Sequence, residues 1–486
     1  MESYQQVESL SNINEQLGSL LANHTLLLWD KWGSQGRHIY TAIPSLRPQI
    51  AFAEHTSWGN VRPEMEIVRE RLYPGRRDDA PKSEKVLLNQ LYDKLDGSAP
   101  PAIMTWYETP IKRKLIENFG GILLTQPESV RRKLEDKSRL PNILKEVGLS
   151  PSVSLKNEIY PDNRSIPNYF SLINQFGDNF VIQGWSMGGD GTVFINSADD
   201  LEKAGHTLQG QIRISECCNQ QYSNVCVLTV PRGNQKCDVY VEIPSHKATH
   251  IPELGISAVE GAGADFSLPY PNFLPTQMIE NIQAVGTYLY KEYGLIGHWQ
   301  FEGFMSEAGF QFNEINARPG GGSKAAAIIE ILRDMPPFWA VQILLSLRGD
   351  TSYLPSAIDY NHQTIDYIKN GFHPSPFYLK YRLTGNSPAR IKNPECTSGI
   401  YNLNDSHFSW RGMGQSPLEA DFDRGEVLIA DLPLSGSICD PGKEVAFIEG
   451  MNTDRPIFSG PHQLSSWGHQ LATATRDLFI ATNELK

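Results

Sequence analysis

Two acidic residues and one amide residue in the middle of the chain have types and a spacing suited to metal-dependent chemistry. Glu302 and Glu314 flank the short segment SEAG, inside the aromatic-rich stretches GHWQFEGFM and FQFNEIN. If these stretches pair as a hairpin centred on Ala308, the two acids lie directly opposite each other, with Cβ atoms about 4.5–5.5 Å apart. Alternation along the second strand then places Asn316 and Arg318 on the same face.

Two facing carboxylates repel each other unless a cation lies between them. Carboxylate and carboxamide oxygens suit Mg²⁺, which commonly takes its remaining ligands from water and substrate phosphates. A solvated polar hairpin face is the alternative interpretation. The aromatic residues that surround the acids favour a central sheet with an apolar opposite face; they are Trp299, Phe301, Phe310 and Phe312. We therefore expect the acidic face to be the floor of a cleft.

A second candidate site is the segment VIQGWSMGGDGTVFI (181–195), which contains GWSMG, a match to the G-x-S-x-G elbow of serine hydrolases. In that elbow a helix follows the nucleophile directly. Here Thr-Val-Phe-Ile follows, which is typical of a strand. No HGGG-like oxyanion segment precedes the motif, so a serine hydrolase with Ser186 as its nucleophile is the less favoured alternative.

The same glycines suit a phosphate-covering loop at the tip of a hairpin. Gly184, Gly188, Gly189 and Gly191 have no side chains, so their backbone can fold over a triphosphate and donate N–H groups to it. An ordinary glycine-rich turn has the same pattern. The segment therefore indicates a nucleotide only in combination with the acidic hairpin.

The elements that must position these residues follow from the periodicity of the chain. HTLLLW (24–29), PQIAFAE (48–54) and PAIMTW (101–106) predict buried strands of an α/β opening domain. From Thr125 onwards, PESVRRKLEDKSRL and PNILKEVG predict helices, QIRISECC, NVCVLTV and DVYVEI predict strands, and a long helix is predicted from Pro275 to Tyr293. After about residue 346, short strands at VLIADLPL and EVAFIEG precede a terminal helix.

The composition predicts a soluble globular protein of several domains. The 486 residues are 40% hydrophobic, and the net charge of −12 argues against a nucleic acid partner. No apolar run comes near the length of about 18 residues that a membrane span needs, and the first residues show no signal-peptide pattern. The six cysteines fit neither a zinc site nor a disulfide framework, and His246 and His250 lack the zincin glutamate and stay unassigned. We expect a cytoplasmic protein without membrane contacts.

Over about residues 120–335 the sequence resembles the ATP-grasp superfamily. FNEINARPGGG resembles its E-x-N-x-R signature, and the twelve-residue step from Glu302 to Glu314 is similar to the step between the metal-binding acids of biotin carboxylase and its relatives. The resemblance implies that Glu302, Glu314 and Asn316 bind Mg²⁺ or Mn²⁺. It also implies that Arg318 holds the reacting carboxylate or phosphate.

The resemblance extends to the segments upstream of the acidic hairpin. LEDKSRLPNILKEVGLSP resembles the family's Asp-Lys helix, which implies that Lys137 binds an ATP phosphate. RISECC resembles the hinge strand, so backbone groups of Glu216 and Cys218 are expected at the adenine. The strand, glycine loop and strand of 180–195 resemble the family's phosphate-covering hairpin, with Gly188, Gly189 and Gly191 in its loop.

Gln183 departs from the family pattern. Family members commonly carry a second phosphate lysine at this place, and a neutral amide can donate a hydrogen bond but brings no charge. The triphosphate must then be held by Lys137, the metal and Arg318. Lys247 is a further candidate, for which a solvated lysine is the alternative interpretation. With this replacement the sequence resembles a subgroup of ATP-grasp ligases that have a preATP-grasp N-terminal domain. The subgroup includes peptide-forming enzymes of natural-product pathways.

The resemblance implies an α/β fold class and a domain plan. Two α+β subdomains that grip ATP would form the ATP-grasp domain at 125–345, with the glycine loop in 125–215 and the metal site in 216–345. An N-terminal α/β preATP-grasp domain would span 1–124, and a C-terminal accessory or lid region would span 346–486.

The activity implied is that of an ATP- and Mg²⁺-dependent carboxylate–amine ligase that forms an acyl phosphate and releases ADP and phosphate. Small-molecule carboxylate and amine substrates are expected, and a homodimer is the expected assembly. Two other interpretations stay open. One is an ATP-dependent carboxylase of the same fold, although PGGGSKAAA lacks the expected bicarbonate-site residues. The other is a non-catalytic nucleotide-binding protein, against which the intact acidic set argues.

Overall fold

A computed structural model describes most of the chain; the described residues are 8–32, 36–54, 65–69, 73–74, 84–149, 151–184, 191–208, 210–218, 220–257, 260–268, 270, 274–306, 309–393, 395–452 and 455–482. The architecture is mixed α/β, as the sequence predicts. Within these ranges, no helix combines the length and the apolar character needed to cross a bilayer.

The N-terminal part is a parallel sheet with helices around it. Its strands run in the spatial order β3-β2-β1-β5-β6. Leu27 and Leu28 of β1 are both fully buried, which is typical of a parallel strand covered on both faces. The elements are α1 (Glu8–Leu21), β1 (Thr25–Trp32), α2 (Arg37–Tyr40), β2 (Ile50–Glu54), β3 (Met65–Arg69), β4 (Tyr73–Pro74), α3 (Glu84–Leu95), β5 (Pro101–Met104), α4 (Pro110–Phe119) and β6 (Ile122–Leu123).

A small antiparallel sheet follows, in the order β7-β10-β8-β9. Its elements are α5 (Glu128–Leu134), α6 (Leu140–Glu146), β7 (Asn157–Tyr160), α7 (Tyr169–Phe176), β8 (Phe180–Gln183), β9 (Thr192–Ile195), α8 (Ala198–Thr207) and β10 (Ile212–Glu216). The predicted Ser197 N-cap of α8 is present, because its side chain accepts from the Asp200 backbone N–H. Apolar side chains of both strands and helices form a separate core for this unit, with Phe180, Ile182 and Ile214 fully buried.

The strands on either side of the glycine segment pair antiparallel, and the Gly184 N–H donates to the Gly191 carbonyl at 2.9 Å. The chain therefore returns into a strand, as the hairpin prediction requires, and does not enter the helix that a nucleophile elbow needs. Ser186, Gly188 and Gly189 lie in the segment 185–190, outside the described residues.

The rest of the chain builds one long sheet, in the order β16-β15-β11-β13-β14-β17-β23-β21-β19-β20, with β12 paired to β11. Its strands are β11 (Gln221–Pro231), β12 (Cys237–Val241), β13 (Ser245–Thr249), β14 (Gly261–Asp265), β15 (Gly297–Ser306), β16 (Gly309–Asn316), β17 (Ser375–Arg382), β19 (Gly399–Asn404), β20 (His407–Gly412), β21 (Glu426–Ala430) and β23 (Glu444–Asn452). Because β14 pairs with β17, the sheet runs unbroken across the predicted boundary at residue 345.

Helices pack against both faces of this sheet. They are α9 (Leu274–Tyr293), α10 (Ser323–Leu332), α11 (Phe338–Ser346), α12 (Ala357–Asn370) and α13 (Ser466–Arg476), and the remaining short strands are β18 (Ala389–Ile391), β22 (Ser437–Ile438), β24 (Phe458–Gly460), β25 (Gln463–Leu464) and β26 (Phe479–Ala481). Trp299 and Phe301 of β15 are fully buried in the core that α9 and α11 share. Strand alternation turns Gln300 and Glu302 to the opposite face, where the cavity lies.

Candidate active site

Glu302 and Glu314 face each other in the β15–β16 hairpin, as the sequence predicts, and a β-bulge produces this register. Near the turn, Gly303 pairs with Phe312, and on that register Glu302 would oppose Asn313. Asn313 is instead the extra residue, so that Glu302 pairs with Glu314. The expected pairing of Glu302 with Glu314 is therefore confirmed, but the expected regular hairpin centred on Ala308 is wrong, because the bulge and not a regular register brings the two acids opposite each other.

Each carboxylate is bonded to a lysine in this structure. Lys247 Nζ lies 2.5 Å from Glu302 Oε2, and Lys137 Nζ lies 2.8 Å from Glu314 Oε2. Burial disfavours the charged form of Glu314, yet the charges of Lys137 and Lys247 outweigh it and hold the pKa of this carboxyl well below its usual value. Two acids and two ammonium groups thus form a nearly neutral cluster.

Asn316 and Arg318 continue the same face of β16. The Asn316 amide donates to Glu302 and to Glu314, each at 3.3 Å, and its Oδ1 accepts from Arg318 at 3.2 Å. Arg318 Nε lies 3.0 Å from Glu135 Oε1, at the end of α5. Glu135 in turn binds Arg131 at 2.7 Å, so the position of Arg318 is set from the other subdomain.

Gln183 stands at the end of β8 with an arginine as its partner. Arg213, its neighbour across the β8–β10 pairing, donates to Gln183 Oε1 from Nε at 3.0 Å and from Nη2 at 2.5 Å. Gln183 Nε2 lies 3.3 Å from the Thr192 hydroxyl. The amide carbonyl therefore faces the guanidinium and the NH₂ group faces the cavity.

A cavity of about 740 Å³ joins these groups. Most of the site residues predicted from the sequence line it: Lys137, Gln183, Glu216, Cys218, Lys247, Glu302, Glu314, Asn316 and Arg318. Gly191 lies at the start of β9 and is not among the lining residues. The cavity therefore brings together side chains from both subdomains that are far apart in the sequence.

One end of the cavity is partly apolar. Val181, Phe304 and Ile315 contribute to its walls, next to the hinge at the end of β10. The Glu216 side chain and backbone exchange hydrogen bonds with the backbone of Lys156, at 2.9 and 3.1 Å, which fixes the hinge. Apolar walls of this kind suit an aromatic ligand group.

The opposite end is lined by charged residues that follow the predicted ATP-grasp domain. On β17, Tyr378, Lys380 and Arg382 turn into the cavity while the alternating residues are buried in the core. Arg382 Nη2 lies 2.6 Å from Glu260 and 4.0 Å from Glu444, both of which also line the cavity. Both signs of charge are thus available at this end.

The loop between β16 and α10 forms the wall between the two ends. A Cβ at Gly320 would overlap the Gln300 side chain, and one at Gly321 would overlap the Tyr378 hydroxyl. Ser323 holds the loop, because its hydroxyl oxygen accepts from the Gly320 N–H at 3.0 Å and from Gln300 at 2.9 Å. The backbone of the segment PGGGS therefore lies in direct contact with neighbouring side chains and leaves no room for a Cβ at Gly320 or Gly321.

Sequence reasoning missed Arg213 and Glu135. Both hold a predicted site residue from behind, across elements that are distant in the chain. In the sequence, Glu135 could have been identified as a candidate because it directly precedes Asp136 and Lys137. For Arg213 the signal was a charged residue at the centre of the apolar strand QIRISECC, which a buried strand does not normally carry.

No family model matches the sequence, and no curated protein matches it. The fold resembles that of Campylobacter jejuni biotin carboxylase in a complex with β-γ-ATP, with a TM-score of 0.55 and 12% identity over 89% of this chain and 88% of that chain. It also resembles Bacillus licheniformis L-amino acid ligase, with a TM-score of 0.52 and 13% identity over 89% of this chain and 94% of that chain. A third similar structure is the biotin carboxylase domain dimer of Hydrogenobacter thermophilus 2-oxoglutarate carboxylase in complex with MgADP, ADP and bicarbonate, with a TM-score of 0.56 and 14% identity over 88% of this chain and 86% of that chain. Identities this low establish a likeness of fold and leave the reaction open.

Proposed function

We propose that this chain, which has the ATP-grasp fold as its sequence predicts, is an ATP- and Mg²⁺-dependent ligase that joins a carboxylate to an amine. The observation that carries the proposal is the direct pairing of Glu302 and Glu314 on the floor of a cavity that also holds Lys137, Lys247 and Arg318. Such a set of opposed acids and convergent cations suits a metal-bound triphosphate.

The donor set fits Mg²⁺ or Mn²⁺ in a nucleotide complex. Two carboxylates and one amide oxygen are hard ligands, and the remaining positions would come from water and phosphate. Among the described residues, no group of three or more His, Cys, Asp or Glu side chains is placed to bind a metal without such help. Asn316 would have to turn its amide, because its NH₂ group faces the two acids here. Bound there, the ion would neutralise charge on the phosphates.

The lysines can change partners when the nucleotide binds. Lys137 and Lys247 bind different members of the acidic pair, each within 2.8 Å of one carboxylate. A metal between the acids would remove their need for the ammonium groups, since it supplies the same charge. The two lysines are then free to donate to phosphate oxygens, and the partly apolar end beside Glu216 and Cys218 would take the adenine.

In the proposed reaction a substrate carboxylate oxygen attacks the γ-phosphorus of ATP, the bond to the β-phosphate oxygen breaks, and an acyl phosphate and ADP result. An amine nitrogen then attacks the acyl carbon, the carbon–oxygen bond breaks, and phosphate leaves as the nitrogen loses a proton. Arg318, held by Glu135, would orient the carboxylate and then the acyl phosphate. Phosphoryl transfer of this type depends on positioning and charge neutralisation and requires no covalent nucleophile.

The amine substrate would bind at the charged end of the cavity, beside Lys380, Arg382, Glu260 and Glu444. Groups of both signs at this end suit polar, charged amines, and we propose amino acids or natural-product precursors as substrates. A homodimer in the cytoplasm is the proposed setting; the six cysteines all have free thiols, in accord with a reducing compartment.

Incubation of the purified protein with ATP, Mg²⁺ and pooled amino acids, followed by mass spectrometry, tests the proposal. We expect ADP, phosphate and a new amide in equal amounts. Production of AMP, or no nucleotide turnover with any carboxylate, would contradict it. Turnover that requires bicarbonate and yields no amide would favour the carboxylase, and ATP-independent labelling of Ser186 by a fluorophosphonate would favour the hydrolase.

A further inference from the structure

Arg213 is a buried cation without an acidic partner of its own. Its side chain is 3% exposed, and it forms no ion pair with any described residue. The acid whose charge reaches it is Glu314, which Lys137 already neutralises at 2.8 Å. Because an isolated buried charge is costly, proteins normally pair it. An unpaired guanidinium directly behind the wall of a cavity indicates that a bound anion supplies the missing charge.

The hydrogen bonds of Arg213 fix the orientation of the Gln183 amide. Both Nε and Nη2 donate to Gln183 Oε1, and a guanidinium can only donate. The carbonyl oxygen is therefore held on the side away from the cavity, and Nε2 is held beside Thr192 at the cavity wall. Without this constraint the amide could turn and present an oxygen, which would repel a phosphate.

The remaining donors of Arg213 reach the other subdomain. Nη1 donates to the Asn313 carbonyl at 2.7 Å, and Nη2 donates to Asn313 Oδ1 at 2.5 Å. Asn313 is the bulged residue that brings Glu314 opposite Glu302. One side chain thus connects the strand that ends at the glycine hairpin with the strand that carries the acids.

Arg213 keeps its charge in this environment. Burial lowers the pKa of its guanidinium to about 10, against the opposing influence of Glu314. At neutral pH the group is protonated, so the positive field behind Gln183 is permanent.

We propose that Arg213 is a positioning residue that delivers positive charge to the ATP phosphates through Gln183, in place of a lysine on β8. The inference rests on the proposed use of ATP. It assigns to Gln183 the role of a polarised donor whose NH₂ group contacts a phosphate, and to Arg213 the charge that makes this donor effective. It further implies that Arg213 fixes both the orientation of the Gln183 amide and the pairing register of the β15–β16 hairpin.

Titration calorimetry with Mg²⁺ and a non-hydrolysable ATP analogue tests this without knowledge of the substrates. We expect Arg213→Met to weaken binding at least tenfold and Arg213→Lys to weaken it less. Gln183→Glu should pair with Arg213, raise the melting temperature and weaken nucleotide binding at least a hundredfold. If Gln183 did not contact a phosphate, binding by this last variant would stay near the wild-type value.

The exchange variant Gln183→Lys/Arg213→Met provides the sharpest comparison. Gln183→Lys alone places an ammonium group against the guanidinium, so it should bind nucleotide poorly. The double variant moves the charge directly to the cavity wall and should bind at least tenfold more tightly than either single variant. Arg164→Met, at an exposed arginine in the same subdomain, is the matched control and should bind like the wild type.

Two results would overturn the inference. One is wild-type affinity in folded Gln183→Glu, which needs no substitution of the arginine and so avoids the destabilisation that Arg213→Met can cause. The other is a double variant no better than Gln183→Lys. A wild-type protein that binds no ATP analogue would instead refute the proposed function itself.

Discussion

At the scale of single residues, Glu314 connects the hairpin to Lys137, the proposed phosphate-binding lysine. Its carboxylate binds Lys137 at 2.8 Å and accepts from Asn316 at 3.3 Å. We expect Glu314→Ala to abolish ATP turnover, because the proposed metal site loses one of its two acids, while circular dichroism and the melting profile stay close to those of the wild type. Steady-state release of ADP provides the measurement.

Glu280→Ala is a suitable control for this variant, because Glu280 lies on the exposed face of α9, away from the cavity. It should turn over ATP at the wild-type rate. Retention of ATP turnover by a folded Glu314→Ala protein would refute the metal assignment.

We expect Glu135 to act on the proposed reaction through Arg318. It binds Arg318 at 3.0 Å and Arg131 at 2.7 Å and is itself 7% exposed. Glu135→Gln keeps the shape but removes the charge that orients Arg318, so we expect kcat to fall and the KM for the carboxylate substrate to rise, each about tenfold, with the KM for ATP nearly unchanged.

The same substitution at Glu128, whose partner Arg132 lies on the exposed side of α5, should have little effect on either constant. An equal rise in both KM values for Glu135→Gln would indicate general damage to the cavity and would count against a positioning role.

His246 provides a pH-dependent contribution to stability. Burial lowers the pKa of its ring to about 3, and both of its ring nitrogens lack hydrogen-bond partners in the described structure. In the unfolded chain the ring titrates near pH 6.5, so between that value and pH 3 the unfolded state binds more protons and stability falls as the pH falls. The loss approaches about 1.4 kcal/mol per pH unit below pH 6.5.

His246→Phe removes this proton uptake and keeps a ring against Tyr270, whose centroid is 4.5 Å away. Urea unfolding at pH 7 and pH 5 should show a smaller difference for the variant than for the wild type. Equal pH differences in the two proteins would mean that the buried ring does not control this window.

At the scale of elements, the loop between β16 and α10 connects Arg318 to the sheet that carries Tyr378. Arg318 Nη1 lies 3.3 Å from the Pro319 carbonyl, and Gly321 meets the Tyr378 hydroxyl. Gly321→Ala adds a methyl group where that hydroxyl lies, so the loop must move and Arg318 with it. We expect at least a tenfold loss of ATP turnover, with partial recovery in Gly321→Ala/Tyr378→Phe, which removes the obstructing oxygen.

Gly205→Ala is the matched control, because a Cβ on this residue of α8 meets nothing within 4 Å. It should keep full activity and be slightly more stable, since alanine favours a helix interior. If the second substitution gives no recovery, the loop does not act through the contact with Tyr378.

The acidic hairpin also marks what sequence patterns can and cannot predict for elements. Alternation and aromatic content identified β15 and its buried face, because strand periodicity is local. On β16, regular alternation would put the buried Phe310 and Phe312 on the same face as Glu314, and the bulge at Asn313 separates them. The bulge at Asn313 was not predictable in this way, since its side chain is fixed by Arg213 and Tyr222 from other strands. The same reasoning applies to Gln183, whose neutral side chain was apparent in the sequence and whose charged partner was not.

At the scale of the whole molecule, the strands of the predicted C-terminal accessory or lid region extend the central sheet. β17 pairs with β14 on one side and with β23 on the other, so no edge separates the two parts. Antiparallel pairing between distant segments leaves no trace in local composition. The charged end of the cavity, with Lys380 and Arg382, exists only because of this continuation.

Four buried charges connect the N-terminal sheet with the C-terminal strands. Arg37 of α2 lies 2.5 Å from Glu449 of β23, and Lys324 of α10 lies 3.9 Å from Glu449 and 3.7 Å from Asp431. All four are at most 5% exposed. Two positive and two negative groups balance one another, and the removal of any one of them leaves a net charge in the interior.

A double-mutant cycle on Arg37 and Glu449 tests whether this cluster holds the molecule together. Arg37→Met leaves Glu449 short of a partner and should lower the free energy of unfolding by about 3–5 kcal/mol, as the loss of one member of a buried pair does. Glu449→Gln should cost a similar amount. The double variant restores the balance with Lys324 and Asp431, so its loss should be clearly smaller than the sum of the two. Guanidinium unfolding, followed by both fluorescence and circular dichroism, measures all four proteins. Additive losses would mean that the N-terminal sheet and the C-terminal strands are held by apolar packing and not by this charge balance.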